Sequence, residues 1–165
     1  MFGALISKKP DNILEIGIGT GYVTKSILFG IRYNKKGKLI CVDNWIDWKG
    51  KEPDFAEDLR KKGANIIAPI NEKDFIKNCP SNSFDFLISD GDHHHSGEWI
   101  DETLRIVKNN GFLFFHDTNQ KEVFPSLLLI EKRIKKLGLP YYHFTEKSRK
   151  EERSDRGWLF VIKKD

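Results

Sequence analysis

Residues 12–24 read NILEIGIGTGYVT, and this stretch decides the fold. Asn12–Ile18 is a short apolar run of strand type, and Tyr22–Ile31 follows with Val23, Ile27 and Ile31 at helical spacing. Gly17, Gly19 and Gly21 join the two. Glycines between a strand and a helix let the backbone turn sharply and approach a ligand without a Cβ collision. The plain alternative is a Gly-rich turn with no ligand. The spacing is G-x-G-x-G, with Tyr22 standing where the third glycine of a G-x-G-x-x-G dinucleotide pattern would fall. Glu15 ends the strand just before the first glycine. A negative charge there disfavours a pyrophosphate and suits a cationic ligand.

Downstream the alternation repeats. KLICVDN, residues 38–44, reads as a second strand ending at Asp43; Phe55–Lys62 reads as a short helix stopped by Gly63. NIIAPI, residues 65–70, is a third strand, with Pro69 marking its end or a sheet edge. FDFLIS, residues 84–89, is a fourth; Glu98–Lys108 is a helix turned by Asn109-Asn110-Gly111. FLFF, residues 112–115, is a fifth strand, apolar throughout and so central. Glu122–Leu137 is a long amphipathic helix ending at Gly138, and Tyr141–Thr145 and Trp158–Ile162 pair as closing antiparallel strands. The polar run between them, around residues 146–156, is expected to be a mobile loop. This order predicts one α/β domain over residues 1–165. It is Rossmann-like and doubly wound: a mostly parallel seven-stranded sheet, last strand antiparallel, in three α/β/α layers.

Composition agrees. The chain has 165 residues, enough for one domain with its own core, and Lys plus Arg number 28 against 24 Asp plus Glu, a net charge of +4. That excess is too mild to call for nucleic acid, and its local clusters read as solvated faces. No apolar stretch approaches the roughly 20 residues of a membrane span, and the N-terminus lacks the basic region of a signal peptide. Cys41 and Cys79 make no disulfide framework, so a reducing, cytoplasmic setting is expected.

In such a sheet every parallel strand ends on one edge, where ligands bind. The unusual residues collect there. Asp43 can accept two hydrogen bonds from ribose hydroxyls, or cap a turn; Trp45 and Trp48 beside it cover an adenine or simply pack. SDGDHHHSGEW, residues 89–99, sets Asp90, Gly91 and Asp92 before His93, His94 and His95, a costly gathering of ionisable groups for packing alone. A zinc site of His93, His95 and His116 lacks a familiar ligand spacing. FFHDTNQ, residues 114–120, brings His116, Asp117, Thr118 and Asn119 to the same edge. If strands one, four and five are neighbours, Asp90 and Asp117 share a cleft. With oxygen donors from Thr118 or Asn119 they suit Mg²⁺; the alternative is a pair of solvated acids.

The glycine motif, Asp43, DGDH and HDT, in this order, resemble the class I S-adenosylmethionine (SAM)-dependent methyltransferases. More narrowly they are similar to the metal-dependent catechol-type and sugar O-methyltransferases. The resemblance runs from about Asn12 to Asn119. It implies cofactor contacts from Glu15, Gly17, Gly19, Gly21, Tyr22, Asp43, Asn44, Trp45, Asn71, Asp90 and Gly91. It implies metal ligands in Asp90, Asp117 and Thr118, the last where an Asn is expected. It puts His93 where those enzymes carry a lysine base, with Asp90 and Asp92 beside it in the catalytic group. The implied reaction is in-line methylation of a sugar or phenolic hydroxyl, the metal lowering the pKa of the attacking oxygen. The segment before the first strand is short for that branch, which leaves the acceptor wall open. Two other readings stand: a non-catalytic cofactor-binding domain, and a nicotinamide-dependent dehydrogenase, which the glycine spacing and Glu15 oppose. The expected partner is a small hydroxyl acceptor, without membrane or nucleic acid. FPSLLLI, residues 124–130, packs under the sheet or forms a homodimer contact.

Overall fold

A computed structural model describes residues 1–118, 124–145 and 157–164. Its seven-stranded sheet runs β3-β2-β1-β4-β5-β7-β6. The strands are β1 (Asn12–Ile16), β2 (Lys38–Val42), β3 (Ala64–Ile67), β4 (Phe84–Ser89), β5 (Val107–His116), β6 (Tyr141–Thr145) and β7 (Gly157–Ile162). The first five are mutually parallel, and β7 runs antiparallel to both β5 and β6. The helices are α1 (Phe2–Lys8), α2 (Tyr22–Asn34), α3 (Phe55–Lys61), α4 (Glu72–Asn78), α5 (Ile100–Ile106) and α6 (Phe124–Lys136).

The period-two alternation of the strands sorts the core into two layers. Leu14, Ile16, Leu87, Phe115 and Leu159 face α5 and α6, where Leu104, Ile130 and Ile134 meet them. Ile13, Cys41, Phe86, Ile88 and Phe114 face the other way, toward Leu5 of α1, Ile27 of α2 and Leu59 of α3. Both faces of the central strands are therefore covered, as a parallel sheet requires. On α6, Leu127, Ile130 and Ile134 are buried, whereas Leu128 and Leu129 of the FPSLLLI run are exposed.

The strand order reverses between β1 and β4. β1 pairs with β2 on one side (Ile16 opposite Val42) and with β4 on the other (Ile16 opposite Ser89). A crevice must open above that switch point.

Three details differ from the sequence reading. α1 was not expected, because only Leu5 of its seven residues is buried. Its partner is a gap rather than a stripe: a Cβ on Gly30 of α2 would lie 2.3 Å from Leu5 Cδ2, so Gly30 lets the two helices touch. α4 was also missed, since NEKDFIKN reads as polar surface; Asn71 caps it by accepting from the Lys73 and Asp74 amides. Finally, β5 begins at Val107, and Asn109-Asn110-Gly111 lies inside it as an irregularity instead of ending a helix. Asn110 there adopts φ 61° and donates its amide to the Lys163 carbonyl. Among the described residues no helix is long and apolar enough to cross a membrane. The run expected as a mobile loop, around 146–156, and Asn119 lie outside the described residues.

Candidate active site

The glycine loop leaves β1 at the switch point. Gly17 (φ 83°) is required by packing: a Cβ there would lie 2.3 Å from the Asp90 carbonyl oxygen. Gly19 (φ 51°) has no atom within 4 Å of its would-be Cβ and offers bare backbone to the crevice. Gly21 begins α2 and faces Leu59 of α3. Tyr22 beside it is 75% exposed. Asp43, past the end of β2, holds this loop in place. Its Oδ2 accepts from the Ile18 amide at 2.7 Å and the Gly19 amide at 3.4 Å, and its Oδ1 accepts from the Trp45 amide at 2.6 Å. A carboxylate has about four lone-pair sites, so about one remains for a ligand's hydroxyl.

The resulting cleft, about 440 Å³, is lined by Gly17, Gly19, Asp43, Asn44, Glu72 and the segment from Asp90 to His94 among others. Its size is in the range of small-molecule sites. Five residues expected to touch a cofactor are not among those lining it: Gly21 and Tyr22, and also Trp45, Asn71 and Glu15. The Trp45 indole is fully buried, edge-on to Phe55, so it cannot cover an adenine; Trp48, which donates to the Gly19 carbonyl, stays partly open. Asn71 spends its side-chain oxygen on capping α4. Glu15 is fully buried and accepts from the Cys41 thiol at 3.1 Å. Burial pushes its pKa up to about 8, so at neutral pH it is a neutral acid rather than an anion awaiting a cation.

Glu72 was missed. It is 9% exposed, lines the cleft, and accepts from the Asp92 amide through Oε2 at 3.0 Å. Its Oε1 has no hydrogen-bond partner among the described residues, and burial raises its pKa to about 7. Only the position after Asn71, at the edge past β3, signalled it.

On the far side of Asp90 stands an acid–histidine cluster. One ligand atom each from Asp90, His93 and Asp117 lie within 4.8 Å of one another. His93 Nε2 is 3.6 Å from Asp90 Oδ1 and 3.8 Å from Asp117 Oδ2. His116 Nδ1 lies 2.6 Å from Asp90 Oδ1 and 3.5 Å from Asp117 Oδ1. β4 and β5 are neighbours, so the two strand ends deliver both acids to one point. Burial pulls the His93 pKa down while Asp90 and Asp117 oppose it, which leaves a neutral imidazole able to accept a proton near pH 7.

One assignment changes. Asp92 pairs with His95, Nδ1 to Oδ2 at 2.8 Å, and caps the His94 and His95 amides; it does not orient His93. That contact holds the exposed His95 outward and raises its pKa, so His93, His95 and His116 do not form a zinc set. Thr118 is 3% exposed, with Oγ1 2.9 Å from His143 Nε2 on β6. Among the described His, Cys, Asp and Glu residues, it is Asp90, His93 and Asp117 that could hold a metal ion together.

The family profile described as a methyltransferase domain matches residues 14–118. No curated protein matches the sequence. Among solved structures the fold is similar to an O-methyltransferase from Bacillus cereus in complex with SAH. The TM-score is 0.71 and the identity 12%, over 98% of this chain and 78% of that one. It is similar to O-methyltransferase TomG from Streptomyces achromogenes, involved in tomaymycin synthesis and in complex with SAM. There the TM-score is 0.71 and the identity 12%, over 99% and 78%. A spermidine synthase from Thermotoga maritima also matches, with TM-score 0.71 and 16% identity over 98% and 57%. At these identities the structures share the fold.

Proposed function

This chain belongs to the methyltransferase-domain family and is a SAM-dependent methyltransferase, and we propose that it methylates a sugar or phenolic hydroxyl with the help of a divalent metal. The observation that carries this reading is the meeting of Asp90, His93 and Asp117 within 4.8 Å beside the glycine-lined cleft. The dehydrogenase alternative gives way to the family match.

The residues suit the donor. Gly19 offers backbone without a side chain, Asp43 keeps about one lone-pair site after fixing the loop, and Glu72 lines the cleft. When bound, SAM supplies an electrophilic methyl group on a cationic sulfur. The residues suit a metal as well: two carboxylates form a hard oxygen site of the Mg²⁺ or Mn²⁺ type, held by Asp90 and Asp117. An ion there would lower the pKa of a neighbouring hydroxyl. His93 Nε2 takes the acceptor's proton, and His116 fixes the Asp90 carboxylate through the same Oδ1. Positioning of the two reactants supplies much of the remaining rate.

The test separates metal from base. Mn²⁺ binding followed by electron paramagnetic resonance should weaken at least about tenfold in Asp117→Asn and stay within about twofold of wild type in His93→Gln. His93→Gln should still abolish methyl transfer from labelled SAM to a panel of phenols and sugars. Equal loss of Mn²⁺ in both variants would make His93 a ligand and remove it as the base.

A further inference from the structure

The sheet edge orders the chemistry in space. From β2 across β1 to β4 lie Asp43, the glycine loop and Asp90; β4 and β5 carry the acid–histidine cluster; β7 and β6 come next. An in-line displacement places the attacking oxygen opposite the departing sulfur. The acceptor of the proposed reaction therefore approaches from the β7 and β6 side of the cluster.

An aromatic surface stands there. By register, His116 is opposite Trp158 and Trp158 is opposite Phe144, so all three lie at the upper edge; Phe114, Phe160 and Tyr142 form the row below. The Trp158 and His116 rings are 4.2 Å apart, and His116 in turn contacts Asp90. Ring contacts continue inward through Phe160 and Phe114, at 4.6 Å, to the buried Phe86. Beyond them on β6, opposite Trp158 and Phe160 by register, lie Phe144 and Tyr142, 57% and 61% exposed, with their rings stacked on each other. α6 packs on the opposite face of these strands, through Leu127, Ile130 and Ile134 against Leu159 and Val161.

We infer that Trp158, Phe144 and Tyr142 form the acceptor-binding surface, and that it takes a flat aromatic ring bearing the hydroxyl to be methylated. The assignment rests on the methyl-transfer reading. Continuity with the catalytic cluster argues for the acceptor as occupant: the surface begins at His116, the ring that touches Asp90. Its chemistry argues for an aromatic ring over a sugar. These side chains offer ring faces, with polar groups only in the Tyr142 hydroxyl and the Trp158 indole N–H. Stacking suits such faces, whereas a sugar's many hydroxyls would lose water without partners.

The experiment titrates 2-naphthol, and separately methyl α-glucopyranoside, into ¹⁵N-labelled full chain containing SAH. The reporter is the Trp158 indole N–H resonance, assigned by Trp158→Phe. We expect saturable shifts with 2-naphthol and none with the glucoside. Phe144→Ser and Tyr142→Ser should each weaken naphthol binding by about tenfold, the scale of one or two ring contacts. Both positions are more than half exposed, and unchanged SAH binding heat verifies the fold of each variant. Naphthol leaving Trp158 unmoved while SAH binds overturns the assignment, whether or not sedimentation then shows a dimer covering the surface. Equal response to the glucoside overturns the aromatic choice. Absence of SAH heat in the unmodified protein is a different failure: it removes the donor reading, and this inference with it.

Discussion

Glu15 pairs a fully buried carboxyl group with a pKa of about 8, against an ordinary value of 4.5. Between those two values the unfolded chain has released a proton that the folded chain keeps. The stability this group contributes is complete below the lower value and is lost as pH rises through the upper one. Glu15→Gln keeps the shape and removes the ionisation. Melting temperatures taken from about pH 5 to about pH 8 should therefore fall less in the variant, by the equivalent of roughly a few kcal/mol; parallel curves would contradict the buried neutral acid. The same residue shows where sequence reading ends. Asp43, Asp90 and Asp117 were legible because each directly follows a strand, and His93 because it stands in the loop just past β4; parallel strands end on one edge. The protonation of Glu15 was not, because it comes from burial, and only the assembled fold shows that this carboxyl group is fully enclosed. Glu72 was hidden for a related reason: in NEKDF it looks like solvated surface, and only the packing of α4 turns it inward.

At the scale of elements, the glycine loop does two separate jobs that its spacing alone does not distinguish. Gly17 lets β1 and β4 close on each other, and a Cβ there would press on backbone at 2.3 Å from a φ of 83°. Gly17→Ala should cost about 3 kcal/mol or more in urea unfolding, combining left-handed strain with overpacking. Gly19→Ala meets open space at a φ of 51° and should cost about 1 kcal/mol. Equal losses would mean that Gly17 is not held by strand packing. Long elements with a clear period were legible: α2 and α6 were found within a few residues. Of the seven-residue helices, α3 was found and α1 and α4 were not. α1 buries one leucine and α4 only Glu72 and Ile76, too little to set a period. The start of β5 was lost because Asn109-Asn110-Gly111 has the composition of a turn, although here it joins β7 through Asn110 and Lys163.

For the whole molecule, the strand order is what converts a list of strand-end residues into a site. It puts β1 between β2 and β4 and so opens the donor cleft. It puts β5 beside β4 and so brings Asp117 to Asp90. It also sets β7 and β6 beyond the cluster, where the proposed acceptor surface lies. The account depends most on the donor occupying that cleft, with Asp43 organising it. The direct measurement is calorimetric titration of SAH into the unmodified protein and into Asp43→Ala. The account predicts saturable binding heat in the first, and at least about tenfold weaker binding in the second, since the loop amides of Ile18 and Gly19 lose their acceptor. No heat in the unmodified protein, or equal affinity in a folded Asp43→Ala, would contradict it.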